Sequence, residues 1–296
     1  MSREPTLPGL QVAFTLAADV TPDIPLPELA AASLDSPLLT LAPSETSADM
    51  RVEVQANSVY RFYPQGQAVA MAAFRIPFKR SQAVPRKVQR ILEQIAAYRN
   101  LGQLTPPTDA LSNALKVEFL QLVSPATRQT APEVAPLASH HSGEKLLRAG
   151  EYLAIAVTNL TPTPLYVYTI VMEGREQKVS LVYPYQPDQP ARLRPDETLL
   201  MGAGPKYLIQ MALPEGETSS SDLFKLWVSG SSIQPGVMIM PPLGQRLDPP
   251  SDPYGTGSRL DRDLRRALLG KVGSTAFPPF VSDPWWTEQQ QVRVQA

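Results

Sequence analysis

The sequence predicts a mixed α+β chain, with a small N-terminal α/β unit followed by an antiparallel β-sandwich that carries one capping helix. Three observations lead there. Prolines number 32, about twice what an average usage of roughly 5% would give. Proline is excluded from helix interiors, so helices should be few, with short strands and ordered loops between them. The first 124 residues hold one strongly amphipathic helix among strand patterns, and beyond residue 145 the texture changes to short strands bounded by Pro, Gly or Ser.

In the first unit, Leu10 to Phe14 reads as a strand, and Leu26 to Leu34 as a short helix with Pro27 in its first turn. Met50, Val52 and Val54 alternate with polar residues, the period of a half-buried strand, and Ser58 to Tyr63 continues as its hairpin partner across Ala56-Asn57. Between Pro85 and about Leu101, the residues Val88, Ile91, Leu92 and Ile95 recur at i, i+3, i+4 and i+7, one face of a helix. Arg86, Lys87, Arg90 and Glu93 take the opposite face. Val117, Phe119 and Leu122 mark a further strand. Residues 125–144, rich in Pro, Ala and Ser and without apolar period, predict a linker between units 1–124 and 145–296.

In the second unit, strand patterns run over Tyr152–Val157, Leu165–Met172, Val179–Tyr183, Glu197–Met201, Tyr207–Leu213 and Leu223–Ser229. Six such segments at close spacing point to a sandwich of the immunoglobulin type. The helix that follows, Arg259 to Leu269, has Ser258 as N-cap, Asp261 in the capping-box position, a Leu260, Leu264, Leu268 stripe and Gly270 as its stop. Gln291 to Gln295 supplies a closing strand.

The second unit also carries a set of short motifs in a fixed order. These are Leu146-Leu147-Arg148-Ala149-Gly150-Glu151, Leu165-Tyr166-Val167-Tyr168, Val179 to Pro184, Leu193 to Glu197, Asp222 to Ser229 and Asp283-Pro284-Trp285-Trp286-Thr287. Together they resemble a domain of unknown function at the C-terminus of caspase-like peptidases of cyanobacteria and other bacteria. Upstream, Ala48 to Val52, Tyr60-Arg61 and Ala96 to Asn100 are similar to the segment preceding that domain, so the resemblance runs from about Leu10 to Val294. It implies a protein partner, with a caspase-like peptidase as the candidate. In that family hydrolysis belongs to a His/Cys dyad in a separate domain, and this chain has no cysteine. The expectation is a non-catalytic protein-interaction or regulatory module, not an enzyme. A carbohydrate- or envelope-binding β-sandwich stands as the alternative.

Composition narrows the partners. Lys+Arg total 27 and Asp+Glu 28, a net charge of −1, without the basic excess that phosphate neutralisation needs, so nucleic acid is not expected. No apolar run reaches the length of a membrane span, and the N-terminus shows no basic segment leading into an apolar one, so a cytoplasmic location is expected. No metal or cofactor is expected. His140 and His141, adjacent on a loop, lack an acid at ligand spacing, Gly202 to Lys206 reads as a hairpin turn, and Gly255 to Ser258 reads as helix capping. The candidate partner-binding residues are the basic cluster Arg86, Lys87 and Arg90, which extends Lys79-Arg80, and the pair Trp285 and Trp286. Side chains alternate along an extended segment, so one of these tryptophans should face outward, where tryptophan anchors interfaces.

Overall fold

The computed structural model describes residues 8–18, 20, 26–76, 83–140, 142–245, 258–270 and 284–296. Its first sheet is built from β1 (Leu10–Leu16), β2 (Leu39–Leu41), β3 (Met50–Gln55), β4 (Val59–Pro64) and β5 (Ala72–Arg75), with α1 (Leu26–Leu34) between β1 and β2. The spatial order is β2-β1-β3-β4-β5, with β1 parallel to both its neighbours and the other pairs antiparallel. The expected hairpin is present. Val52 lies opposite Phe62 and Val54 opposite Tyr60, all four buried, and Asn57 and Ser58 turn the chain at φ 59° and 56°.

Helix α2 (Ala83–Gln103) extends past the expected segment at both ends. Val88, Ile91, Leu92 and Ile95 are buried in the common core as the periodicity requires. Its C-terminal end leaves the carbonyls of Leu101 and Gly102, and that of Leu104 just beyond, to be bonded from outside the helix.

The remaining elements form two more sheets. In chain order they are β6 (Leu115–Ser124), β7 (Glu133–Pro136), β8 (Ala138–Ser139), β9 (Lys145–Arg148), β10 (Tyr152–Asn159), β11 (Leu165–Glu173), β12 (Lys178–Tyr183), β13 (Arg192–Leu193), β14 (Thr198–Met201), β15 (Ile209–Gln210), β16 (Ser219–Ser229), α3 (Arg259–Leu269) and β17 (Trp285–Gln295). The second sheet runs β14-β10-β6-β7 with β15 also on β10, and the third runs β12-β11-β16-β17-β9-β8 with β13 on β11. Their inner faces meet: the rings of Phe119 on β6 and Phe224 on β16 pack edge to face at 6.2 Å. The architecture is therefore mixed α and β, dominated by sheets, with a sandwich of two layers at its centre.

Two expectations about organisation are corrected. Strand β6, expected in the first unit, pairs antiparallel with β10 over eight positions, from Leu115↔Asn159 to Leu122↔Tyr152. Residues 125–144, expected as a linker, contain β7, which extends the second sheet, and β8, which pairs with β9. Proline spacing hid these short strands, because Pro132 and Pro136 bound a segment too brief to show a period. The boundary thus falls within hydrogen-bonded structure, and one apolar core contains residues of all three sheets and all three described helices.

Odd-numbered residues of β16 from Leu223 to Trp227 point away from the second sheet, toward the helices. Lys225 is 1% exposed there, and its Nζ donates to the carbonyls of Leu101, Gly102 and Leu104 at 3.1, 2.7 and 2.8 Å. These acceptors lie at the C-terminal end of α2, where the helix dipole is negative and the carbonyls have no partner within the helix. Asn100 Nδ2 donates to the carbonyl of Ala267 on α3, and Gln94 Nε2 to that of Pro241. Arg99 on the same helix pairs with Asp49 beside β3 at 2.7 Å. Helix α2 is thereby bonded to the first sheet on one side and to the third sheet and α3 on the other. Helix α3 has the expected caps: Ser258 Oγ accepts from Asp261 N at 3.2 Å, and Gly270 closes it at φ 66°.

Candidate binding cleft

The strand pair β11–β16 places Glu173 directly opposite Asp222, so both carboxyls leave the sheet on the same face, near the end of the sandwich. The turn from β11 into β12, Gly174 to Gln177, forms one wall, and residues Ala212 to Glu217, ahead of β16, form the other. Between them lies a cleft of about 510 Å³, lined also by Ser220 and Ser221. Gln177 sits at φ 50°, held by its Nε2 bond to the Gly174 carbonyl. At the cleft Arg175 Nη1 pairs with Glu217 Oε1 at 2.8 Å.

The two carboxylates differ. Glu173 accepts from Lys178 Nζ at 2.8 Å and from Ser180 Oγ at 3.4 Å. The Asp222 carboxyl has no hydrogen-bond or ion-pair partner among the described residues. Burial pushes its carboxyl up to about 6, the charge of Glu173 adds to this, and Lys178 opposes it. Beside it, Ser220 Oγ is buried without a partner among the described residues. The wall behind is braced: Glu144 accepts from Ser142 Oγ and Ser221 Oγ and pairs with Arg293 at 3.0 Å. Chemically, of the facing pair Glu173 and Asp222 the first is matched by an ammonium and the second is half-buried and unmatched. Such a site favours a positively charged group from outside.

The residues expected to bind a partner are placed differently. Trp285 is not an anchor: it is 1% exposed, and its Nε1 donates to Asp263 Oδ2 on α3 at 2.9 Å. The reason is that β17 begins at Trp285 rather than Gln291, and pairing with β16 along its whole length turns Trp285 toward the helix layer. Trp286 faces the other way and is half-buried against the core. Arg86, Lys87 and Arg90 are exposed along the first turns of α2 and make no ion pair among the described residues; none of them lines the cleft. Lys79 and Arg80 lie outside the described residues, as do His141 and Gly255 to Gly257. His140 Nδ1 lies 3.0 Å from Ser142 Oγ, within its own loop. Gly202, at φ 77°, begins the expected turn, where a Cβ would come within 2.5 Å of the Leu153 carbonyl oxygen. Among the described residues no group of three or more histidines, aspartates or glutamates converges as a metal site would.

Asp222 and Lys225 were present in the motif Asp222 to Ser229 but were not singled out as site residues. The available signal was two charges interrupting an apolar strand run, D-L-F-K-L-W. No helix of the described residues is long and apolar enough to cross a membrane. No known protein family, curated protein or solved structure matches the chain.

Proposed function

We propose that this chain is a non-catalytic protein-binding module that receives a basic side chain of its partner in the cleft between Glu173 and Asp222. One observation carries the reading: Asp222 is half-buried beside a second carboxylate and lacks a cation of its own. A lysine ammonium entering the cleft gains charge-assisted hydrogen bonds and relieves that repulsion. The motif resemblance supports a regulatory role beside a caspase-like peptidase in the cytoplasm. An immunoglobulin-like classification of the sandwich is supported by connections that cross repeatedly between layers: β10 lies in one, β11 and β12 in the other, β14 and β15 back in the first, β16 and β17 in the second.

Zero-length carbodiimide coupling in an extract of the source organism tests this, because it joins a carboxylate to an amine in direct contact. The expected result is one partner joined through Asp222 or Glu173 and lost in Asp222→Asn with Glu173→Gln. Coupling that maps elsewhere, or that survives the double variant, removes the cleft from the interaction.

The carbohydrate-binding alternative has its own observation. Tyr185 and Tyr207 stack at 3.9 Å with ring planes 5° apart, Tyr183 packs edge-on to Tyr185, and Tyr207 remains 41% exposed. An open aromatic face of this kind suits the apolar face of a sugar ring. Glycan binding that disappears in Tyr207→Ala and persists in Asp222→Asn would select this reading over the first.

A further inference from the structure

The cleft holds more charge and more space than one lysine uses. Four carboxylates line it, those of Glu173, Glu176, Glu217 and Asp222. Lys178 matches Glu173 and Arg175 matches Glu217. Asp222 and Glu176 are left without a cation among the described residues. Glu176 is exposed in the turn from β11 into β12, and Leu243 N donates to its carbonyl at 2.8 Å, which pins that turn. The volume of about 510 Å³ falls within the roughly 300–1,000 Å³ of small-molecule sites. At about 30 Å³ for each non-hydrogen atom, the share of one water in the liquid, there is room for roughly fifteen. A lysine side chain fills only a fraction of that.

The two unmatched carboxylates stand apart. Asp222 lies on β16 near Ser220, whose hydroxyl oxygen is buried and unpartnered among the described residues. Glu176 lies at the mouth, next to Arg175, which joins the two walls through Glu217. Glu217 precedes Asp222 by five positions. Three of those steps lie within β16 at about 3.4 Å each, so floor and mouth are separated by on the order of 10 Å. A compact divalent ion does not reach both, and among the described residues no three acidic or histidine side chains converge. An extended dication reaches both. Ala212, Leu213 and Pro214 line the same cleft, an apolar strip of the kind along which methylene chains lie.

We infer that the cleft takes a linear polyamine, with one terminal ammonium at Asp222 and Ser220 Oγ and the other at Glu176. This rests on the cleft reading above and adds a regulator to it: a free polyamine and the partner's lysine contend for Asp222, so the polyamine releases the partner. Charge sets aside a zwitterion such as an amino acid. Its carboxylate would face Glu176 and Glu217 at the mouth, with only Arg175, already shared with Glu217, to hold it.

Isothermal titration calorimetry of the full chain at neutral pH and low salt compares two dications of different length, putrescine and octamethylenediamine, with magnesium ion as the compact control. Octamethylenediamine, long enough to span floor and mouth, is expected to bind about fivefold more tightly than putrescine, the size of one exposed ion pair. Spermidine, of similar length, should follow it. Glu176→Gln is expected to remove the advantage of length, and Asp222→Asn to weaken both diamines. Equal affinity for the two diamines, a magnesium affinity matching that of the longer one, or an advantage that persists in Glu176→Gln overturns the inference. Carbodiimide coupling judges the partner's lysine separately. Coupling at Asp222 beside a failed length series removes the polyamine alone, and a length advantage without coupling removes the partner's lysine alone.

Discussion

At Lys225, burial and hydrogen bonding act in opposite directions. Burial pushes the ammonium down to about 7, while three carbonyl acceptors favour the charged form. With a folded-state value below the unfolded one, the unfolded chain binds more protons between about 7 and about 10.5, so stability rises with pH across that window. Lys225→Met leaves three carbonyls without their donor and should destabilise the chain by about 2 kcal/mol at neutral pH. Its deficit against wild type should widen toward pH 10. Urea unfolding at several pH values measures both, and a flat difference would mean the carbonyls hold the ammonium at its ordinary value. Asp222 behaves with the opposite charge. Its carboxyl sits near 6 in the fold against 3.8 otherwise, so the folded state binds more protons between these values and loses stability as pH climbs through them. Asp222→Asn should therefore stabilise the chain at pH 7, by about 1 kcal/mol given its partial exposure, and have no such effect near pH 3.5. The same substitution should weaken partner binding, as expected of a functional residue held at a cost to the fold.

At the scale of elements, local pattern was legible wherever one face is buried and one is wet. The β3–β4 hairpin follows from Met50, Val52 and Val54 answered by Tyr60 and Phe62, and both caps of α3 follow from Ser258 and Gly270. Strand β17 was not legible over its first half, because Thr287 to Gln291 are all polar and show no alternation. Pairing with β16 rather than propensity makes that stretch a strand. The same polar stretch conceals that Trp285 opens a paired strand and faces the helix layer. Trp285→Phe removes the donor to Asp263 within a buried contact and should cost about 1–2 kcal/mol. Trp286→Phe, with no such bond, should cost much less, and thermal unfolding of the two variants compares them. Asp222 is not legible as a site residue for a related reason: its neighbour in the cleft, Glu173, lies 49 positions away in sequence, and only the β11–β16 register brings them together.

Across the whole molecule, the longer apolar strands could be read from the chain, but the short strands and the strand partnerships could not. Nothing in the Leu115–Ser124 segment distinguishes a strand of the first sheet from one of the second; the eight-position ladder with β10 decides it. The two expected units are consequently joined by backbone pairing, by the capping of α2 from β16 and by a common core. Residues 145–296 expressed alone lack β6 and leave the buried face around Lys225 uncovered. That fragment should show no cooperative thermal transition, whereas the full chain unfolds in one. A soluble fragment with a sharp melt would establish the sandwich as autonomous.

The clasp on α2 also has a consequence in time. Its carbonyl acceptors are up to 124 positions upstream of the lysine that satisfies them, and a ribosome adds about 5–20 residues per second. For roughly 6–25 seconds of translation the nascent helix end has no donor. The end of α2 therefore gains its native donor only once the strand that carries Lys225 has emerged from the exit tunnel.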